Sequence, residues 1–346
     1  MTTQESPPPL WSRRRLLTAG VLSLAWAVGG QRAASAPPLS RGPDSAPGSA
    51  PAGGAAPLLA TDDASGRLTT AVMINGHGPY HFMVDTGAER TVIADDLAKR
   101  LELPRGGRVL VQGIIRGEPA SLVEIRELRL GSLASSRLQV PTLPRAMLSV
   151  DGYLGLDVLD HRRVVFDFIA GTLTVTKPQG FFSWLFTHSD QLRVRTLGES
   201  GRLRSTDCLI DRVHAAAFFD TGAEVSIING PLYAALQRRQ EVAPAKRAVM
   251  EELTGVTGGS VEGITTVLDM VSLGDLILTF TTVVVADLPT FALWGLGRQP
   301  ALLVGMDCLR RCSRFSIDYR RKEVHVDVAN GPTPQPLQAR LRPPSA

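Results

Sequence analysis

The sequence predicts a mainly β chain built as two similar lobes, and three observations carry that expectation. A short stretch, "HFMVDTGAERTVI" at residues 81–93, returns as "AFFDTGAEVSII" at 217–228. Each copy follows a strand pattern broken by turn residues and precedes a run of helix formers. The segments that close the two units match as well. Gly155-Leu156-Asp157 stands against Gly305-Met306-Asp307, and Phe166-Asp167-Phe168 against Ile317-Asp318-Tyr319. A unit of about a hundred residues present twice is a duplication, not a many-unit solenoid.

The N-terminal run comes first. Arg13, Arg14 and Arg15 precede an apolar stretch from Leu16 to Val28, and Ala34-Ser35-Ala36 offers small residues of the cleavage type. Ser12 to Leu17 resembles the twin-arginine export signal of bacteria. The apolar stretch is 13 residues long, short of the roughly 20 that span a bilayer. Residues 1–36 are therefore read as an export signal peptide, and the chain as exported, periplasmic or extracellular; an uncleaved signal would instead tether it to the inner membrane. That segment holds four Arg and one Glu, so the remaining 33 Lys and Arg against 32 Asp and Glu give a net charge of +1. With no basic run interleaved with aromatics, nothing points to nucleic acid. Residues 37–62, rich in Ala, Pro, Gly and Ser, read as a disordered linker.

The first lobe is placed at residues 63–178. Alternation in "LTTAVMINGHGPYHFMV" (68–84) predicts a hairpin whose loop, Asn75 to Pro79, is longer than two residues. The helix formers of "IADDLAKRLEL" (93–103) predict a short amphipathic helix. Gly- and Pro-punctuated strands follow. The unit closes on a buried Tyr153-Leu154-Gly155, a helical turn, and two strands flanking Ala170-Gly171.

An interlobe segment, 179–195, carries Phe181, Phe182, Trp184 and Phe186, expected to pack in the seam rather than to face a membrane or substrate. The second lobe, 196–330, repeats the order: paired strands into Asp220, a helix with Asn229 as N-cap and Pro231 in its first turn, and further strands. Residues 331–346 read as a disordered tail.

One Asp-Thr-Gly is ordinary turn chemistry. Two copies with matched flanks suggest a pair of carboxyl groups. Carboxylates held about 3 Å apart cannot both ionise; they share a proton and titrate together. One can then accept a proton from water while the other donates to a carbonyl, with no metal and no covalent intermediate. The Gly after each Thr lets backbone approach the carboxylate, and each Thr hydroxyl can tie down its loop.

The chain resembles the retropepsin-like aspartyl proteases, in a bacterial form with two lobes fused in one polypeptide. The resemblance rests on hydrophobic-hydrophobic-Asp-Thr-Gly-Ala at 83–88 and 218–223 and on the tags Tyr153-Leu154-Gly155 and Leu303-Val304-Gly305, and covers roughly residues 66–328. It implies the bilobal acid-protease barrel fold and aspartic endopeptidase activity on a peptide or protein substrate. It implies Asp85 and Asp220 as the catalytic dyad and no cofactor. It further implies that Thr86 and Thr221 interlock, with Gly87 and Gly222 supporting the dyad, and that hairpin flaps lie at "VQGIIRGEPASLV" (111–123) and "ELTGVTGGSVEGI" (252–264). Two departures stand out. The first flap has no aromatic residue, and Ala88 and Ala223 replace the family's serine. Without a hydroxyl on the carboxylates, the dyad is expected to be less acidic and activity to lie nearer neutral pH.

Other chemistries find little footing. Gly258-Gly259-Ser260-Val261-Glu262 misses a nucleophile elbow at its last position, and "GLGRQP" (295–300) lacks the final glycine of a dinucleotide fingerprint. Cys308 and Cys312 lack His or Cys partners at ligand spacing; with Cys208 they read as buried thiols or one disulfide. The rival reading is an exported, catalytically silent module that holds peptides in the same cleft by strand addition. Two fused lobes also remove the need for dimerisation, so a monomer with one site is expected.

Overall fold

The computed structural model describes residues 57–63, 66–176, 192–195, 197–199, 202–239 and 249–328, together with Leu17–Ala19 and Ser23–Leu24. The Phe181–Phe186 aromatic patch, most of the linker, the tail and most of the signal segment lie outside them. Strands dominate, arranged in two lobes.

Each lobe is built round the same three-strand motif. In the first, Leu68–Ile74 and His77–Val84 form a hairpin, and the short strand Gly152–Leu154 runs parallel to His77–Val84. On its other side Gly152–Leu154 pairs antiparallel with Val92–Ala94. The loop carrying Asp85 is thus pinched between two strands separated by a third. In the second lobe Ala301–Val304 is parallel to Val213–Phe219 and antiparallel to Ile227–Ile228. Continuous apolar runs suit strands buried on both faces, and Phe82, Met83, Val84, Tyr153 and Leu154 are all fully buried.

The first hairpin departs from expectation. Its loop is only Asn75-Gly76, both with positive φ (51° and 84°), the conformation that two-residue hairpin turns require. Gly78 and Pro79 belong to the second strand instead. The ladder accommodates them at an irregularity, where the register shifts between Val72 and Ile74. The expected helices are present. Asp95–Arg100 is shorter than the pattern suggested, while Gly230–Arg238 starts at Asn229, whose Oδ1 accepts from the Leu232 N–H at 3.1 Å.

Two features set the site between the lobes. An interlobe sheet runs Leu192–Arg195, Glu323–Asp327, Arg314–Asp318, Arg163–Asp167, Thr172–Thr176 and Leu58–Asp62. It draws strands from both units, from the interlobe segment and from the end of the expected linker, where residues 58–62 are an ordered strand because they pair with Thr172–Thr176 and Leu68–Ile74. One of its faces is apolar throughout: Val164, Phe166, Leu173, Val175, Phe315 and Ile317 are buried. Opposite it, each lobe raises a flap hairpin, Arg105–Gln112 with Gly117–Leu130 and Met250–Gly255 with Ser260–Leu273. Leu17–Ala19 pairs parallel with the second flap's first strand, and Ser23–Leu24 antiparallel with the first flap's.

The three cysteines are buried free thiols. No described helix is long and apolar enough to cross a membrane.

Candidate active site

Asp85 and Asp220 leave their strands at equivalent points. The Asp85 N–H donates to the Leu154 carbonyl and the Asp220 N–H to that of Val304, both at 3.0 Å. Each closing tag therefore holds the backbone of its own lobe's aspartate. Past the turn, Leu156 and Met306 N–H groups donate to the Ala88 and Ala223 carbonyls, each at 2.9 Å. The repeat seen in the sequence is a repeat in space.

The lobes meet at the threonines. Thr86 N–H donates to Thr221 Oγ1 and Thr221 N–H to Thr86 Oγ1, both at 3.1 Å. Each hydroxyl then reaches into the opposite lobe: Thr86 Oγ1 donates to the Phe219 carbonyl at 3.0 Å, and Thr221 Oγ1 to that of Val84 at 2.7 Å. These four bonds fix the two aspartate loops against each other. All the partners are buried, where hydrogen bonds are strong and leaving one unmade is costly.

That lock brings the carboxyl groups face to face. Asp85 is 0% exposed and Asp220 1%. Gly87 N–H and Ala88 N–H donate to Asp85 Oδ1 at 2.9 and 3.0 Å, and Gly222 N–H donates to Asp220 Oδ1 at 2.8 Å. A Cβ on Gly87 would stand 2.9 Å from the Asp220 carboxyl group, so the glycine is required by close approach. Burial, then the charge of Asp220, pushes the Asp85 carboxyl well above its usual range; the Gly87 and Ala88 amides pull the other way. The direction is the one expected from the Ala88 substitution, but the leading cause is desolvation. Residue 88 still bonds the carboxylate, through its backbone.

A second pair of side chains supports each loop. Thr91 Oγ1 donates to Asp157 Oδ1 at 2.7 Å and accepts from Gly155 N–H at 3.1 Å. Ser226 Oγ donates to Asp307 Oδ1 at 2.6 Å and accepts from Gly305 N–H at 3.0 Å. Sequence reasoning aligned the two aspartates and missed the hydroxyls. The signal was present, since Thr91 and Ser226 both stand six residues after their Asp.

The two flap hairpins meet each other. At their tips Arg116 Nε donates to the Thr257 carbonyl at 2.9 Å, and Thr257 Oγ1 to the Arg116 carbonyl at 2.6 Å. A Cβ on Gly113 would overlap Thr257 Oγ1. Ile114, fully buried, packs among second-lobe residues including Phe218, Leu253 and Phe291. An apolar seat thus stands where the sequence offered no aromatic residue for the first flap.

The arrangement is a shielded pair of carboxyl groups, with two flap hairpins joined at their tips. The aspartyl protease family model matches residues 70–158. That match spans the first lobe from its hairpin to just past its tag. Among solved structures the chain is similar to the aspartic proteinase from Irpex lacteus, with a TM-score of 0.51 and 14% identity. The match covers 79% of this chain and 97% of that one. At that identity the likeness shows the fold. A comparison with curated proteins finds no match.

Proposed function

We propose that the protein is an aspartic endopeptidase, hydrolysing peptide bonds with a water activated between Asp85 and Asp220. The carrying observation is the pair itself: two buried carboxyl groups, one from each repeat, close enough to interact directly and each anchored by backbone amides. In the singly protonated pair the ionised carboxylate takes a proton from water as its oxygen attacks the scissile carbonyl. The protonated partner donates to the carbonyl oxygen. Collapse of the tetrahedral intermediate breaks the C–N bond, and a carboxyl proton goes to the leaving amine. This shared-proton logic is that of aspartic proteases in general.

The flaps support a peptide substrate. A pseudo-twofold axis reverses the direction of equivalent strands, so a chain crossing it is parallel to one flap strand and antiparallel to the other. Leu17–Ala19 and Ser23–Leu24 show those two pairings, and an extended substrate would use the same edges. The reading also takes the chain as an exported monomer, to be checked by light scattering and by sequencing the N-terminus of the secreted form.

The deciding test is a peptide-library digest by the parent protein, Asp85→Asn and Asp220→Asn. Cleavage by the parent should fall by about 10²–10⁴-fold or more in each variant. Peptide binding without turnover in all three proteins would instead establish a silent binding module.

A further inference from the structure

We infer that Tyr319 is a positioning residue for the dyad, its hydroxyl supporting the shared negative charge of Asp85 and Asp220 from the interlobe sheet beneath them. The inference rests on the proposed catalytic pair and adds a third side chain to it.

The geometry starts with the apolar face of the interlobe sheet. Along Arg314–Asp318 the inward positions are Phe315 and Ile317, and Tyr319 continues that two-residue step. Phe315 lies against Phe219, with ring centroids 5.7 Å apart, and Phe219 immediately precedes Asp220. The row therefore begins beside the strand that delivers Asp220. It ends in a polar atom. Tyr319 is 5% exposed, and its hydroxyl is buried with no hydrogen-bond partner among the described residues.

A buried hydroxyl without a partner is unfavourable, and phenylalanine would remove the problem at almost no change of shape. The other repeat has phenylalanine there: Phe168 is the counterpart of Tyr319. Phe168 is only half-buried, and the Arg310 guanidinium lies 5.6 Å from its ring centroid. The duplicated unit thus tolerates a plain ring, and the second copy carries a hydroxyl that nothing in the packing uses.

Three carboxyl groups act on the hydroxyl. Burial first, then Asp85, Asp160 and Asp220, raise the Tyr319 hydroxyl above its usual range. It therefore stays protonated at any working pH and can act only as a donor dipole towards negative charge. Asp160 approaches from the end of the Leu156–Leu159 helix, and the Arg162 carbonyl accepts from the Tyr319 N–H at 3.1 Å. The other tyrosine that senses Asp85 is Tyr153, from the tag strand, with Arg67 6.0 Å from its ring centroid. The Tyr153 hydroxyl is committed to the Leu148 carbonyl at 3.2 Å. Only Tyr319 of the two has a donor left for the pair.

The test is Tyr319→Phe, measured as kcat/KM against pH. A donor that favours the charged dyad lowers its pKa values, so its removal should move both limbs of the profile to higher pH. On the acid side kcat/KM should fall several-fold, with KM and melting temperature close to the parent's. Phe168→Tyr serves as the control, and its profile should superimpose on the parent's. Carboxyl titration of Asp85 and Asp220 by ¹³C NMR gives a readout independent of turnover, and Tyr319→Phe should raise the apparent values there too. A folded Tyr319→Phe whose profile and titration coincide with the parent's overturns the inference while leaving the protease reading intact. A parent with no aspartate-dependent cleavage overturns both.

Discussion

The two lobes solve one problem with different side chains. Each must hold a carboxyl-bearing loop rigidly against a closing strand, and each does so with a hydroxyl six residues past the aspartate. In the first lobe Thr91 directs both its hydroxyl and its N–H to a single oxygen of Asp157. In the second, Ser226 spreads the same two donors over both oxygens of Asp307, and its Oγ also lies 3.1 Å from Cys308 Sγ. The helices behind them differ more. The first-lobe helix Asp95–Arg100 has no side-chain cap and is braced by Arg145, which bridges Asp96 and Asp151 at the surface. The second-lobe helix has a buried Asn229 whose amide also donates to the Leu296 and Gln299 carbonyls, while its Oδ1 accepts from Ala301 N–H. What touches the dyad is kept nearly symmetric. What lies a layer further out has diverged.

The strongest challenge to that symmetry is the threonine lock. Thr86→Val and Thr221→Val each strip a buried carbonyl and a buried N–H of their partners. Each should cost about 3 kcal/mol and most of the activity, by closely similar amounts. Chemical denaturation of the two variants checks this, and a large difference between them would break the comparison.

Next comes the supporting layer. Thr91→Val and Ser226→Ala should each lose about 1–3 kcal/mol, because a tag N–H and a buried carboxyl lose a partner together. Burial holds the Asp157 and Asp307 carboxyls above their ordinary range despite these hydrogen bonds. A group raised in the fold contributes most below the unfolded carboxylate range and loses that contribution as pH rises through the folded value. The parent should therefore lose this part of its stability as pH rises from below the unfolded carboxylate range through the raised folded values, read as a fall in melting temperature.

The outer layer should show the asymmetry. Asn229→Ala removes a cap and three further hydrogen bonds, two of them fully buried, and should cost about 2 kcal/mol or more. Arg145→Ala touches only a partly exposed network and should cost at most about 1 kcal/mol, an effect that shrinks in salt. Hydrogen bonding to Arg145 holds the Asp96 carboxyl below its ordinary range. That contribution is present above the unfolded carboxylate pKa and disappears as pH falls through the depressed folded value. Melting curves at two salt concentrations separate the two helices.

Much of the fold could be read from the chain because duplication writes each element twice. The strand–Asp-Thr-Gly–helix order, the closing tags and the Asn229 cap were all readable from local pattern. The first hairpin was misjudged at Asn75–Pro79. Turn residues mark a loop but do not reveal that Gly78 and Pro79 can be absorbed at a bulge. The flap positions came only from the family resemblance, and their tip contacts were not legible at all. Arg116 and Thr257 are 141 residues apart, and no local signal pairs them.

The sequence alone established that two equivalent carboxyl-bearing turns exist and that each sits between a hairpin and a helix, because propensity and repetition are properties of neighbours along the chain. Docking of the lobes decided the rest: that the turns face each other, that Thr86 and Thr221 exchange hydrogen bonds, and that the flaps meet. Those distances depend on how two packed units meet across more than a hundred residues of chain, and burial at that meeting place is the leading cause that raises the Asp85 carboxyl.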